Sequence, residues 1–250
     1  MRVLVTRPEP GASNTADVLR ARGLEPMLMP LTRTVELTPG KSDLSAARSA
    51  AYAVTSANAV RAWQSLGIDE DSLGHPVYAV GERTGAMAAQ AGFKDVRTGD
   101  GDGAQLAEKI LSDIGNGALS VTERAPLVYV AGKLRHGQFE SVLDRESVPL
   151  RTVETYEIVQ ISYSTDFIEA LFQDDPPRVV LFYSAVAAGR FFHVLNTTLN
   201  LNVLNNCTFF CLSKNVAEEI PVEFEERAAV AAVPDEAHLM ALFDDCDIQL

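Results

Sequence analysis

Short, uniformly apolar runs alternate with helical patterns along this whole sequence, and that alternation limits what it can fold into. The runs are VLVT (3–6), EPMLMP (25–30), AYAVTS (51–56), PVYAVG (76–81), KDVRT (94–98), PLVYVAG (126–132), LRTVETYEI (150–158), RVVLFYS (178–184), CTFFCLS (207–213) and AAVAAVP (228–234). Strands that are apolar throughout, rather than at every second position, are buried on both faces, as in parallel sheets covered by helices. The intervening segments are amphipathic. From Gly11 to Arg22, for example, Ala12, Ala16 and Leu19 share one face, and Gly23 follows. About ten strands are too many for one ordinary sheet in 250 residues. The expected fold class is α/β, with two similar doubly wound parallel-sheet domains.

An internal echo supports two similar halves. VTSANA (54–59) is answered by FYSAVA (182–187), with Ser56 and Ser184 in matching places 128 residues apart. YAVGERTGAM (78–87) is answered by FCLSKNVAEE (210–219), and GDGDGAQL (99–106) by a segment that ends PDEAHL (234–239). Three matches in one order at a near-constant offset point to a duplicated α/β unit. Two further stretches, TRTVELTP (32–39) and PLRTVETYEIV (149–159), alternate in polarity and are bounded or led by proline. They read either as two extended connectors crossing side by side between the domains or as ordinary sheet strands.

The chemistry on offer is narrow. Net charge is −13, which disfavours nucleic acid and anionic membranes as partners, since both require a basic footprint. Many of the acids lie near the end, in EFEER and DDCD, where a solvated surface is expected. His75, His136, His193 and His238 are scattered, with no pair at metal-ligand spacing, and Cys207, Cys211 and Cys246 form no CxxC. The opening MRVLVTRPEP offers only four apolar residues before Pro8, too few for a secretion signal, so a soluble protein of a reducing compartment is expected. GxxxxGK[ST] is absent, and the acidic GDGDG (99–103) reads as a loop.

In open α/β sheets, ligands sit beyond the carboxyl ends of strands, where helix N-termini present free N–H groups. The candidate turns are Arg7-Pro8, Thr55-Ser56-Ala57-Asn58, Gly81-Glu82-Arg83-Thr84, Gly132-Lys133, Ser184-Ala185 and Ser213-Lys214-Asn215. Taken singly, the serines and asparagines fit helix capping as well as ligand binding. Together they would line a cleft rich in N–H donors and poor in ionisable side chains. Such a cleft suits a polyanion bound by an acidic protein, because helix N-termini attract carboxylates without net positive charge. Tyr156, in ETYEI, could donate a proton to a departing hydroxyl or simply pack a connector.

The segments VLVTRPEP, ADVLRARGLEPMLMPL, VTSANAVRA, YAVGERTGAMAAQAGF, GDGAQLAEKI, YVAGKLRHG and VETYEIV, in this order and spacing, resemble the uroporphyrinogen-III synthase family. The resemblance covers nearly the whole chain and is clearest over residues 1–160. It implies two α/β domains joined by a two-stranded β connector. Domain one would be 1–35 plus 162–250, domain two 40–150, and the connectors about 32–39 and 149–161. It also implies a cytoplasmic hydro-lyase of porphyrin, tetrapyrrole and heme biosynthesis that uses no metal or organic cofactor. The small-molecule substrate would be hydroxymethylbilane, a linear tetrapyrrole with eight carboxylates. It is cyclised to uroporphyrinogen III through a spiro intermediate, with inversion of ring D and loss of water. A monomer is expected, with a transient handover from hydroxymethylbilane synthase and neither nucleic acid nor membrane as partner. Carried over residue by residue, Thr55, Ser56, Gly81, Thr84, Gly132 and Ser184 match cleft-lining turns, and Tyr156 matches the tyrosine proposed to assist water loss. Arg7 and Lys133 stand near those turns as carboxylate partners.

The chain departs from the family pattern at CLSKNVAEEI. Ser213 stands where a glycine is usual, and Asn215 and Val216 stand where threonines are usual. Lys214 could pair with a carboxylate there, or Ser213 could narrow the cleft. The alternative is therefore a non-catalytic two-domain module that binds a tetrapyrrole or another polyanion through a degenerate cleft.

Overall fold

The computed structural model describes residues 1–40, 43–99 and 101–245. Cys246 and the end of the acidic DDCD run lie outside the described residues. In chain order the elements are β1 (Arg2–Val5), α1 (Gly11–Ala21), β2 (Glu25–Leu28), β3 (Thr32–Glu36), β4 (Ala51–Val54), α2 (Ala57–Leu66), α3 (Glu70–Leu73), β5 (Pro76–Val80), α4 (Gly81–Gln90), β6 (Asp95–Gly99), α5 (Gly103–Gly115), β7 (Leu127–Gly132), α6 (Gln138–Arg145) and β8 (Leu150–Gln160). They continue with α7 (Thr165–Phe172), β9 (Val179–Phe182), α8 (Ala185–Thr198), β10 (Thr208–Cys211), α9 (Lys214–Ala217), β11 (Ala228–Val230) and α10 (Glu236–Asp245).

These elements form two compact units. Unit 1 comprises Met1–Arg33 and Val159–Leu250, and unit 2 comprises Thr34–Ile158. Unit 1 holds a five-stranded sheet in the order β11-β10-β9-β1-β2. The six-stranded sheet runs β3-β8-β7-β4-β5-β6. The two orders are the same once β4, β5, β6, β7 and β8 are matched with β9, β10, β11, β1 and β2, so the duplication read from sequence reappears as topology. Adjacent strands pair in parallel from β2 to β11 and from β8 to β6.

Burial on both faces explains the uniformly apolar runs. In the six-stranded sheet, Tyr52, Val54, Val77, Ala79, Val128 and Val130 pack on one side with Trp63 of α2 and Ala88 of α4. Ala51, Ala53, Tyr78, Leu127 and Tyr129 pack on the other with Leu106 of α5 and Leu143 of α6. Unit 1 repeats the scheme. Leu4, Val180, Phe182 and Phe209 face α7 and α8, while Val3, Val5, Leu181 and Phe210 face Leu19 of α1 and Leu239 of α10. Trp63 stands 4.5 Å from Tyr52 and 5.1 Å from Phe93, centroid to centroid. Replacing a buried aromatic of this kind by alanine costs about 3–5 kcal/mol.

Cys207 and Cys211 are buried free thiols, both pushed up to about 12 by that burial. Among the described residues no helix is long and apolar enough to cross a membrane, and no group of side chains is placed to hold a metal ion.

Candidate active site

In the sheet of unit 2 the chain leaves β4 towards β5 and β6 on one side, and leaves β7 towards β8 on the other. The strand order therefore diverges between β4 and β7, and ligands collect beyond the carboxyl ends of strands at such a point. A cavity of about 270 Å³ lies there, lined among others by Thr55, Ser56, Tyr129, Gly132, Arg135 and Tyr156.

Two helices start at this cavity. Ser56 caps α2, its hydroxyl accepting from the Asn58 N–H at 3.1 Å. α6 begins after Gly137, whose left-handed backbone (φ 68°) suits glycine and leaves no side chain to cap the helix. Among the described residues, the N–H groups of Gln138, Phe139 and Glu140 have no acceptor in the protein. Gly137, Gln138 and Phe139 all line the cavity, so the end of α6 with free donors opens on it.

Tyr156 arrives by a shift of register. Leu127 to Ala131 of β7 pair in step with Leu150 to Glu154 of β8, and then Gly132 faces Tyr156 instead of Thr155. A bulge of this kind re-aims side chains at the end of a sheet. Tyr156 is only 7 % exposed, yet among the described residues its hydroxyl has no hydrogen-bond partner. The ring is thus fixed while the hydroxyl stays free to meet a ligand.

The cations around the cavity are already engaged. Arg135 meets Glu140 at 3.0 Å and Glu154 at 2.9 Å, and donates to the carbonyls of Gly132 and Lys133. Lys133 lies outside the cavity lining and pairs with Glu157 at 3.2 Å. Tyr129 shares a 2.7 Å hydrogen bond with Thr55. Burial raises the Tyr129 hydroxyl above the usual phenol range, partly opposed by that bond.

The remaining candidates lie elsewhere. Gly81 opens α4 with φ 68°, and Thr84 is buried on the same helix; neither lines the cavity, although Val80 does. In unit 1, Ser184 caps α8 by accepting from the Ala187 N–H at 3.2 Å. Ser213 precedes α9 in extended backbone (φ −155°), where its counterpart Gly81 is left-handed. α9 is four residues long against ten for α4. The substitution at Ser213 thus coincides with a differently built turn. Lys214 is exposed and forms no ion pair among the described residues. Arg7 lies 4.0 Å over the Tyr183 ring and pairs with Glu236 at 2.9 Å.

Several lining residues were not legible as such in sequence. Tyr129 sits in an apolar strand and looks like core. Asp102 and Gly103 belong to the run read as a loop; Asp102 caps α5, Gly103 is its first residue, and both line the cavity. Arg135 and His136 lie in GKLRHG without a recognisable motif.

A family model described as uroporphyrinogen-III synthase HemD matches residues 13–241. The chain belongs to the uroporphyrinogen-III synthase family. Uroporphyrinogen-III synthetase from Helicobacter pylori 26695 is 17% identical, with 98% of this chain and 99% of that one covered at a TM-score of 0.61. A mutant uroporphyrinogen III synthase from Thermus thermophilus is 13% identical, with 98% of each chain covered at a TM-score of 0.57. At these identities the two structures show the shared fold. No curated protein sequence matches this chain.

The family supplies the activity: a lyase of porphyrin and heme biosynthesis that cyclises hydroxymethylbilane to uroporphyrinogen III. The family match runs through residues 213–216, so the SKNV departure does not favour the non-catalytic alternative.

Proposed function

We propose that the cavity between the ends of β4 and β7 is where the hydroxymethyl end of the substrate reacts, with Tyr156 as the proton donor. Pockets for drug-sized ligands run to about 300–1,000 Å³. At about 270 Å³ this cavity fits one substituted pyrrole, not four. Carboxylates on that ring are held by the free N–H groups of α6 and by the start of α2, with Thr55 and Ser56 shaping the wall. Further carboxylates of the substrate are held at the strand-end turns of unit 2 that carry Gly81, Thr84 and Lys133; in unit 1, Arg7, Ser184, Ser213 and Lys214 stand at the corresponding turns of its own sheet.

In the reaction, the Tyr156 hydroxyl donates a proton to the hydroxymethyl oxygen, which leaves as water. The exocyclic methylene carbon left on the pyrrole is the electrophile, its positive charge shared with the ring nitrogen as an azafulvenium. The substituted carbon of ring D attacks it and gives the spiro intermediate, whose opening and reclosure invert that ring. The phenolate recovers a proton when the macrocycle loses one. Orientation dominates the barrier, because holding reacting atoms in place contributes about 7–11 kcal/mol. A positioned acid contributes about a hundred- to ten-thousand-fold in rate, the smaller effect.

The observation that carries this reading is a buried Tyr156 against Gly132 whose hydroxyl has no hydrogen-bond partner among the described residues, in a cavity where Arg135 is paired with Glu140 and Glu154. The segments where the chain passes between units, β3 and β8, are read as the two-stranded connector, about 32–39 and 149–161, with domain one as 1–35 plus 162–250 and domain two as 40–150. The working form is a cytoplasmic monomer that receives hydroxymethylbilane from its synthase by transient handover, which limits spontaneous closure to the uninverted isomer.

The test is a coupled assay. Hydroxymethylbilane is generated in situ with its synthase, this protein is added, and the oxidised products are separated. Isomer III is expected from the wild type. Isomer I alone, from folded protein, would overturn the reading.

A further inference from the structure

The two units build one turn alike and differ, among other positions, at the first residue of the helix that follows. In unit 2, Asp102 precedes α5, its carbonyl accepts from the Leu106 N–H at 3.1 Å, and Leu106 is fully buried. In unit 1, Asp235 precedes α10, its carbonyl accepts from the Leu239 N–H at 3.1 Å, and Leu239 is fully buried. The first residue of the helix is Gly103 in one unit and Glu236 in the other. Gly103 lines the open cavity of unit 2. Glu236 instead carries a carboxylate to the matching place in unit 1.

Three side chains close on that carboxylate. Thr15 donates to Oε1 at 2.5 Å, Tyr183 donates to the same oxygen at 3.1 Å, and Arg7 donates to Oε2 at 2.9 Å. Arg7 and Tyr183 follow β1 and β9, the strands between which the order of this sheet diverges. This is the same topological point that the cavity occupies in unit 2. A Cβ on Gly11 would stand 2.4 Å from the Arg7 guanidinium, so the cation is seated against the first turn of α1.

We propose that Arg7, Thr15 and Tyr183 form a carboxylate-binding site, filled from within by Glu236, and that a carboxylate of the substrate displaces Glu236. The proposal rests on the reading that substrate carboxylates bind at the strand-end turns. Two hydroxyls and a guanidinium converging on one carboxylate exceed what a surface ion pair needs. Thr15 is fully buried, and its hydroxyl also meets Tyr183 at 3.1 Å and accepts from Arg7 at 3.2 Å, so the three groups are held together around the carboxylate. The Glu236 side chain is 38% exposed, so solvent and ligand reach it. In a chain of net charge −13, a second carboxylate cannot join the first at no cost. Exchange keeps the local charge constant.

The experiment is Glu236→Gln, read by the KM for hydroxymethylbilane and by the fluorescence titration of uroporphyrin III, an octacarboxylate that does not react. Both affinities are expected to tighten by about fivefold, because the internal competitor has lost its charge. Adding Arg7→Gln is expected to abolish the gain. An unchanged or weaker affinity in folded Glu236→Gln overturns the proposal. A measurement on the wild type guards against misfolding: the ¹³C resonance of the Glu236 carboxyl shifts on saturation with uroporphyrin III if it is displaced, and an unmoved resonance overturns the idea. Thr55→Val and Tyr156→Phe are assayed in parallel. If they alter turnover while Glu236→Gln leaves affinity unchanged, this site alone fails. If Glu236→Gln and Arg7→Gln move affinity while the unit 2 variants change nothing, the reading of the unit 2 cavity fails and this site stands.

Discussion

The Tyr156 phenol lies directly against the α-carbon of Gly132: a Cβ there would stand 2.7 Å from ring carbon Cζ and 2.9 Å from the hydroxyl oxygen. The seat of the ring is therefore made by the absence of a side chain on the neighbouring strand. Gly132→Ala should push the phenol out of place, and a misplacement of about 1 Å costs on the order of a hundredfold in rate. The coupled assay reads it as lost isomer III with little change in thermal stability. Adding Tyr156→Phe should lower the rate no further, since both changes strike one contact.

Tyr156→Phe keeps the ring and removes the only group assigned to move a proton. Turnover should fall about a hundredfold, within the usual range for a positioned acid. Near-ultraviolet circular dichroism should be retained. Full turnover in this variant would remove the residue from the mechanism.

The hydrogen bond between Thr55 and Tyr129 ties β4 to β7 at the cavity wall, at 2.7 Å. Thr55→Val and Tyr129→Phe should each destabilise by about 1 kcal/mol, with a double variant costing little more than either. Urea denaturation measures this, and fully additive losses would mean that the two hydroxyls do not act as a pair.

Two carboxylates give the protein an acid limit. Asp113 is held below the usual carboxylate range, chiefly by the hydrogen bond from Tyr78 at 2.7 Å and then by Arg97. For Glu236 burial acts upward, but the bonds from Thr15, Arg7 and Tyr183 outweigh it and the net shift is downward. Tyr183 itself is pushed up to about 12 by burial. A lowered folded value means that the unfolded chain binds more protons in this range. The stabilisation is thus complete above about pH 4, the ordinary carboxylate value, and is lost as pH falls through the depressed values. Asp113→Asn should flatten the acid limb of Tm against pH, and an unaltered slope would contradict the assignment.

Raising ionic strength from about 0.05 to 0.5 M should raise the KM for hydroxymethylbilane, because partly exposed carboxylate contacts are screened over a shrinking Debye length. An unaffected KM would mean that the substrate is held mainly by packing.

The architecture was legible because it follows from burial. Strands such as β4 and β9, buried at every residue, can be read as inner strands of covered sheets, and the Ser56 and Ser184 caps mark where their following helices begin. The cavity was legible only in part. Thr55, Ser56, Gly132 and Tyr156 line it, whereas Gly81, Thr84 and Lys133 stand at neighbouring turns. The difference lies in side-chain direction and pairing, which spacing does not report. Nothing in GKLRHG shows that Arg135 turns back onto Glu140 and Glu154, and no pattern gives the bulge that sets Tyr156 opposite Gly132. Arg7 could be recognised as a cation near a turn, but its engagement with Glu236 joins residues 229 positions apart.

The strand order of unit 1 also governs the order in which the molecule can be made. β1 lies between β2 and β9, and Val3 pairs with Val179. Unit 2 is continuous, from Thr34 to Ile158, and has its whole sequence before β9 is translated. During synthesis, therefore, the second unit can close first, while β1 and β2 wait as an apolar ribbon with an open edge. A ribosome that stalls before residue 179 would release one finished unit still attached to a sticky one, a natural substrate for chaperones and proteases.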